Sequence, residues 1–305
     1  MHDLAAVGYF GSWDPTFRRK YVAEWPRSYM CLDTEFDSMN SKEGLIWEIG
    51  HAIVRDGVVV SRGNYVLNWY ETGLFDAGYL DGRLADIARR VGFDWRLTPQ
   101  VVKQEGGNAV KILKFYKKLF DSWASADGPF VLQNGQNADE VLFDGNFRRF
   151  LSSSFVFPEH TYFDVGCLFK AFQAWQNPQQ FGGYQPSFRP TDLDTPKSYY
   201  RRVSGVRAKG LKWKLGLMVD TFSLQEKHGS GPANYHNALY DAECLHWAMI
   251  EFGNLYSLAV PSAAATQKLD VNGVATIVMD ELSKPAMFGY PPGKPPEAPV
   301  RQRNV

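Results

Sequence analysis

Two carboxylates one residue apart, Asp33 and Glu35, stand at the end of the short apolar run Tyr29–Leu32. A run of that kind suits a buried strand. Successive strand side chains point to opposite faces, so Asp33 and Glu35 point the same way. Two like charges side by side at a buried strand end are unfavourable unless something cationic offsets them. The hard, oxygen-seeking ions Mg²⁺ and Mn²⁺ do this well. A lone Asp-x-Glu is far more often a solvated strand end, so partners must come from elsewhere in the chain.

Asp139 closes the stretch Asn134-Gly-Gln-Asn-Ala-Asp139, which reads as a strand end running into a helix start. The helix dipole favours an acid in a first turn whether or not that acid does chemistry. His236 and Asp241 lie within His236-Asn-Ala-Leu-Tyr-Asp241-Ala. On one helix they would be about 140° apart, given ~3.6 residues per turn, and could not both face a sheet. His236 is therefore placed on the loop before the helix and Asp241 in its first turns. Ala238 and Ala242 are small enough to let that helix approach the sheet closely. The preceding Gly229-Ser-Gly-Pro-Ala-Asn-Tyr235 has little to bury, so His236 is expected on a mobile loop.

Taken together, Asp33, Glu35, Asp139, Asp241 and His236 suit phosphodiester hydrolysis. The reaction needs water turned into hydroxide, charge relief on the phosphoryl oxygens and a stabilised leaving 3′-oxygen. Two metal ions roughly 3.5–4 Å apart supply all three. Four carboxylates bring such ions close while balancing their charge, and a histidine can take the proton from the attacking water.

The same residues resemble the motifs of the DEDDh group of DnaQ-like (RNase T-like) 3′–5′ exonucleases, over roughly residues 28–257. Asp33-Thr34-Glu35 looks like the group's first motif, Asn134 to Asp139 resembles its second, and His236 to Ala242 matches its third. Ala138 stands where the second motif usually has an aromatic. Ile46 to Gly50, Thr98-Pro99, Tyr162 to Asp164 and Lys209 to Gly216 fall in the order the group shows. The resemblance implies a ribonuclease H-like α/β fold. It implies two Mg²⁺ or Mn²⁺ on Asp33, Glu35, Asp139 and Asp241, with His236 as general base. The implied reaction releases nucleoside monophosphates from a nucleic acid with a free 3′ end; a single strand is the expected substrate, with DNA set slightly ahead of RNA. An exoribonuclease or oligonucleotide phosphodiesterase is the alternative within the class. A nucleic-acid-binding module without turnover is the alternative outside it, against which the complete acidic set and His236 speak.

The elements that must position these groups are legible in outline. Strands are expected over 28–35, 45–54 and 58–69, the last two joined by the hairpin signal Asp56-Gly57. Residues 81–106 read as short helical and turn-like pieces. The apolar spacing predicts helices over 108–123, 138–151, 165–175 and 237–256, with short strands at 130–133 and 161–163. Residues 176–196 read as a long loop or insertion, 209–217 as a short helix and 220–235 as another loop. Three antiparallel strands followed by alternating strands and helices describe a mixed sheet with helices on both faces. The expected organisation is an N-terminal arm (1–27), one catalytic domain (28–258) and a C-terminal extension (259–305) with a Pro-rich tail.

Charge and composition narrow the partners. The 305 residues carry 33 basic and 33 acidic side chains, so nucleic-acid affinity must come from a local patch. Lys197 to Lys214 holds seven basic residues and no acid, with Tyr199, Tyr200 and Trp213 interleaved. Arg201, Arg202 and Arg207 are thus expected to contact phosphates. Thr34 and Asn134 are expected beside the substrate, with Phe36 and Met39 wedged against the terminal base or sugar. His51 reads as a core residue. Three widely spaced cysteines without a Cys-x-x-Cys pair fit a reducing compartment. No signal-peptide pattern or membrane-spanning run is evident, so a cytoplasmic protein is expected, with no membrane partner and with homo-oligomerisation left open.

Overall fold

A computed structural model describes residues 25–259 except 93, 94, 127, 189, 190 and 192. The C-terminal extension and nearly all of the N-terminal arm lie outside the described residues. Of the arm, Trp25 is seen: its indole N–H donates to the Met249 carbonyl at 3.0 Å and its ring meets Phe163 edge-on.

Three strands form the antiparallel half of the sheet: β1 (Tyr29–Phe36), β2 (Ile46–Arg55) and β3 (Val58–Asn68). The β2–β3 turn is Asp56-Gly57, with φ of 49° and 83°, the positive values a two-residue hairpin of this kind needs. The two-residue β4 (Gly107–Asn108) runs parallel to the end of β3. On the other side, β5 (Phe130–Leu132) lies parallel to β1 and β6 (Tyr162–Asp164) parallel to β5. The six-stranded mixed sheet has the order β4-β3-β2-β1-β5-β6, and ten helices accompany it among the described residues.

Strand alternation assigns the faces. Gly50, opposite Asp33 in the β1–β2 register, meets the start of α10 (Ala238–Ala259). His51, one residue on, points the other way. Its Nδ1 shares a 2.8 Å hydrogen bond with the Tyr116 hydroxyl on α3 (Ala109–Ser125). Helices therefore cover both faces. Ala238 and Ala242 are fully buried against the sheet, as their size predicts. A Cβ on Gly50 would lie 2.0 Å from the Ala238 backbone, so only glycine admits α10 at this distance. Gly50→Ala should destabilise the chain by about 3 kcal/mol in urea unfolding, the upper end for forced overpacking. A cost below about 1 kcal/mol would mean that α10 can retreat freely.

Several segments differ from the sequence reading. The piece before residue 93 is one helix, α1 (Ala77–Val91), rather than alternating fragments. Asp76 caps it by accepting the Gly78 and Tyr79 N–H groups, and the sparse stripe Leu80, Leu84, Ile87 is its buried face. A second helix, α2 (Pro99–Glu105), is capped by Thr98. The helices α4 (Asp139–Leu151) and α5 (Val165–Gln176) fall where the periodicity puts them. The segment read as a loop over 176–196 contains a helical turn, α6 (Pro178–Phe181), and a 3₁₀ stretch (Gly182–Phe188), held down by buried Phe181 and Phe188. An unanticipated helix follows, α7 (Pro196–Gly205), with a Thr195/Ser198 capping box. Residues 209–214 are not helical. Gln180, Gln173 and Gln133 amides hold the carbonyls of Lys209, Lys212 and Trp213, and the next helix, α8 (Leu215–Phe222), begins only after them. The short α9 (Leu224–His228) lies inside the expected 220–235 loop.

Candidate metal centre

The C-terminal end of β1 delivers Asp33 and Glu35, and the first turn of α10 delivers Asp241. One oxygen from each lies within 4.8 Å of the others. Asp33 is partly exposed, whereas Glu35 and Asp241 are buried. The Asp241 Oδ2 accepts the backbone N–H of His236 at 3.1 Å. Its Oδ1 is buried with no hydrogen-bond partner among the described residues. A buried carboxylate oxygen without a partner, beside two further carboxylates, is costly unless a cation meets it. An all-oxygen donor set suits Mg²⁺ or Mn²⁺.

The electrostatics agree. Burial pushes the Asp33 carboxyl well above the usual carboxylate range, and the charges of Asp241, Glu35 and Asp139 add to it. Glu35 is pushed up to about 8 by burial and by Asp241, against the pull of Arg96. Asp241 is pushed up to about 7 by burial, opposed by the hydrogen bond from the His236 backbone. Each group thus keeps a proton in the metal-free fold that it would lose in the unfolded chain. Between roughly pH 4 and 8 the folded state binds more protons, so these groups lower stability as pH rises, and the loss is complete above the folded values. A divalent ion removes the penalty. The rise in Tm caused by Mn²⁺ should therefore be several degrees larger at about pH 8 than at about pH 5.5. An increment that is flat with pH would detach the metal from these carboxyls.

Asp139 is the first residue of α4 and is buried, but it stands apart from the group of three. Its Oδ1 accepts a 2.6 Å hydrogen bond from the Thr34 hydroxyl. Thr34 faces away from Asp33 and Glu35 along β1, so Asp139 reaches the strand end from the opposite side of the sheet. Burial lifts it to about 7 while the Thr34 hydrogen bond opposes the rise. Its charge is still felt at Asp33 and Glu35.

His236 precedes α10, as its spacing from Asp241 requires, and has a φ of 62°. The side chain is 46% exposed, with Nδ1 3.8 Å from Glu35 Oε1. The Asp241 carboxylate holds its backbone N–H and leaves the imidazole turned toward Glu35. Asn237 opens the helix, its Oδ1 accepting the Tyr240 N–H at 3.0 Å.

The residues expected at the substrate divide. Asn134, at φ 54°, makes the turn from β5 into α4, its carbonyl accepting the Asn137 and Ala138 N–H groups. Phe36 packs against the core, and Met39 is exposed on the loop after β1. Arg201 is exposed. Arg202 pairs with Asp194 at 2.5 Å, donates to the Ser187 carbonyl and lies over Tyr199. Arg207 is exposed, with its guanidinium 5.5 Å from the centre of the Trp213 ring. Tyr199 and Tyr200 are core residues, and Lys197 is buried against Glu140 and the Phe157 carbonyl. Only part of the basic run therefore faces outward. His51 is buried as expected, and the three cysteines are free and buried.

Three supporting residues escape a sequence reading. Glu48, opposite Glu35 in the register, is fully buried and paired with Arg96. Its Oε1 accepts the Asn64 amide at 2.5 Å, and its Oε2 faces the Ala238 N–H at 3.5 Å. A lone acid in the apolar strand β2 was a usable signal for Glu48; Arg96, on an irregular segment, offered none. Asp37 fixes the loop after β1 by accepting Arg83, the Trp47 indole and the Leu45 N–H.

No protein-family model matches the sequence, and no curated protein matches it. Among the described residues, no helix is long and apolar enough to cross a membrane.

Proposed function

We propose that this chain is a metal-dependent phosphodiesterase on a ribonuclease H-like fold, and that it removes nucleotides from a free 3′ end. The observation that carries the reading is the convergence of Asp33, Glu35 and Asp241 around a buried, unpartnered Asp241 oxygen, with the His236 imidazole beside Glu35. The order β3-β2-β1 antiparallel, then β5 and β6 parallel, is compatible with that fold.

Asp33, Glu35 and Asp241 would hold the divalent ions, and Asp139 adds its charge from the other side of β1. When bound, Mg²⁺ or Mn²⁺ supplies an activated water at neutral pH and offsets charge on the phosphoryl group. Asp241 also orients His236 by holding its backbone N–H. With Nδ1 on the Glu35 side, Nε2 is the nitrogen left to accept the proton of the attacking water. The Asp37 network keeps the loop after β1 in place beside the reacting end. The 3′–5′ polarity rests on the motif resemblance.

The test is incubation of the purified chain with end-labelled single- and double-stranded DNA and RNA, with Mn²⁺ or with chelator, and with 3′ ends free or blocked. Mononucleotides should appear from free 3′ ends and only with metal. Equal cleavage of blocked strands would make it an endonuclease. No hydrolysis of any substrate in Mn²⁺ would overturn the reading.

A further inference from the structure

A cleft of about 410 Å³ lies away from the acidic triad, between α5, the 3₁₀ stretch and the loop 206–213. Its lining includes Lys170, Arg207 and Lys209 but no carboxylate, together with Tyr184 and Trp213. In a chain with balanced charge, three cations around one cleft are a local excess. No carboxylate pairs with any of the three among the described residues. Lys170 is structural. It is buried, donates to the carbonyls of Val203, Ser204 and Val206, and lies 3.7 Å from the centre of the Trp213 ring. Arg207 and Lys209 are exposed at the cleft, and Tyr184 is an exposed aromatic residue on its rim.

The loop is built rather than loose. Gln180 donates to the Lys209 carbonyl at 3.1 Å, and Gln173 both donates to the Lys212 carbonyl and accepts its N–H. Gln133 donates to the Trp213 carbonyl at 2.5 Å. Gln133 directly follows β5, which runs parallel to β1, so the loop is tied to the same sheet edge that carries Asp33 and Glu35.

We propose that this cleft is a second contact site for a single nucleic-acid strand, upstream of the 3′ end at the triad. Arg207 and Lys209 take backbone phosphate, and Tyr184 stacks on a base. The position of the site relative to the reacting end rests on the nuclease reading; binding at the cleft does not.

The experiment is therefore a binding measurement in chelator, where no hydrolysis occurs. The full chain is titrated into a fluorescent oligothymidylate of about a dozen nucleotides, over a range of salt. Arg207→Gln with Lys209→Gln should raise the Kd by about tenfold at low salt and reduce the log–log salt slope by about 1.4, two phosphate contacts' worth on a single strand. Tyr184→Ala should weaken binding roughly fivefold or more with the slope unchanged. The control Lys111→Gln with Lys114→Gln removes the same charge from exposed positions on α3 and should change neither. Far-ultraviolet circular dichroism checks that each variant is folded. Absence of binding by the wild type, an unchanged Kd in the Arg207/Lys209 variant, or an equal loss in the control overturns the site. If these variants lose binding while no substrate is hydrolysed in Mn²⁺, the cleft stands and the nuclease reading falls.

Discussion

Asp241→Ala should lower hydrolysis by a factor on the order of 10⁴ or more while the chain stays folded. The residue provides both the unpartnered oxygen at the centre of the acidic group and the acceptor that holds the His236 backbone. Its loss removes a donor and releases the imidazole in one step. Asp33→Ala should reach a similar floor by removing a donor alone. Neither substitution should unfold the metal-free protein. Burial and mutual repulsion raise these carboxyls, so removing one relieves the others, and the metal-free variants should melt at or above the wild-type temperature near pH 8. Near-normal single-turnover rates in either variant would remove the triad from the chemistry. A large fall in melting temperature would show that the carboxylate was structural.

His236→Ala should cost about 10²–10⁴-fold in turnover, the usual worth of a general base. Metal binding and substrate affinity should change little, because the half-exposed imidazole is assigned to the water and not to the ions. On the acid side of the pH–rate profile, protonation of Glu35 or Asp241 removes the metal and lowers the rate, and this limb should move with Mn²⁺ concentration, since metal and proton compete there. A variant that loses metal binding would make His236 a ligand. A variant with the wild-type rate would leave it without a role.

Much of this centre was legible in the sequence because its logic is local. Alternation along Tyr29–Phe36 places Asp33 and Glu35 together, the five-residue spacing of His236 and Asp241 separates loop from helix, and Asp56-Gly57 sets the β2–β3 hairpin. The role of Asp139 was less legible. Its place at a helix start follows from the sequence, but the face from which α4 approaches β1 depends on tertiary packing, and Thr34 takes its side chain. The basic run misled for a related reason. Lys197 is held by Glu140, 57 residues earlier in the chain, and its neighbours Tyr199 and Tyr200 turn inward with it as α7. Charge counted along a segment does not reveal which side of an unanticipated helix faces water. Similarly, no period predicts that three glutamine side chains will hold 209–214 open, so the helix read at 209–217 begins six residues later.

Calorimetric titration of Mn²⁺ into the metal-free chain at about pH 7, in two buffers of different ionisation enthalpy, reads metal binding and proton release at the acidic centre together. Glu35 is pushed up to about 8 and Asp241 to about 7, so the site still carries protons under these conditions and must release them to bind metal. Saturable binding of two ions per chain is expected, with a buffer-dependent heat that reports proton release, and both should be lost in Asp241→Asn. Absence of saturable binding, or a titration that is the same in Asp241→Asn, would contradict the metal centre.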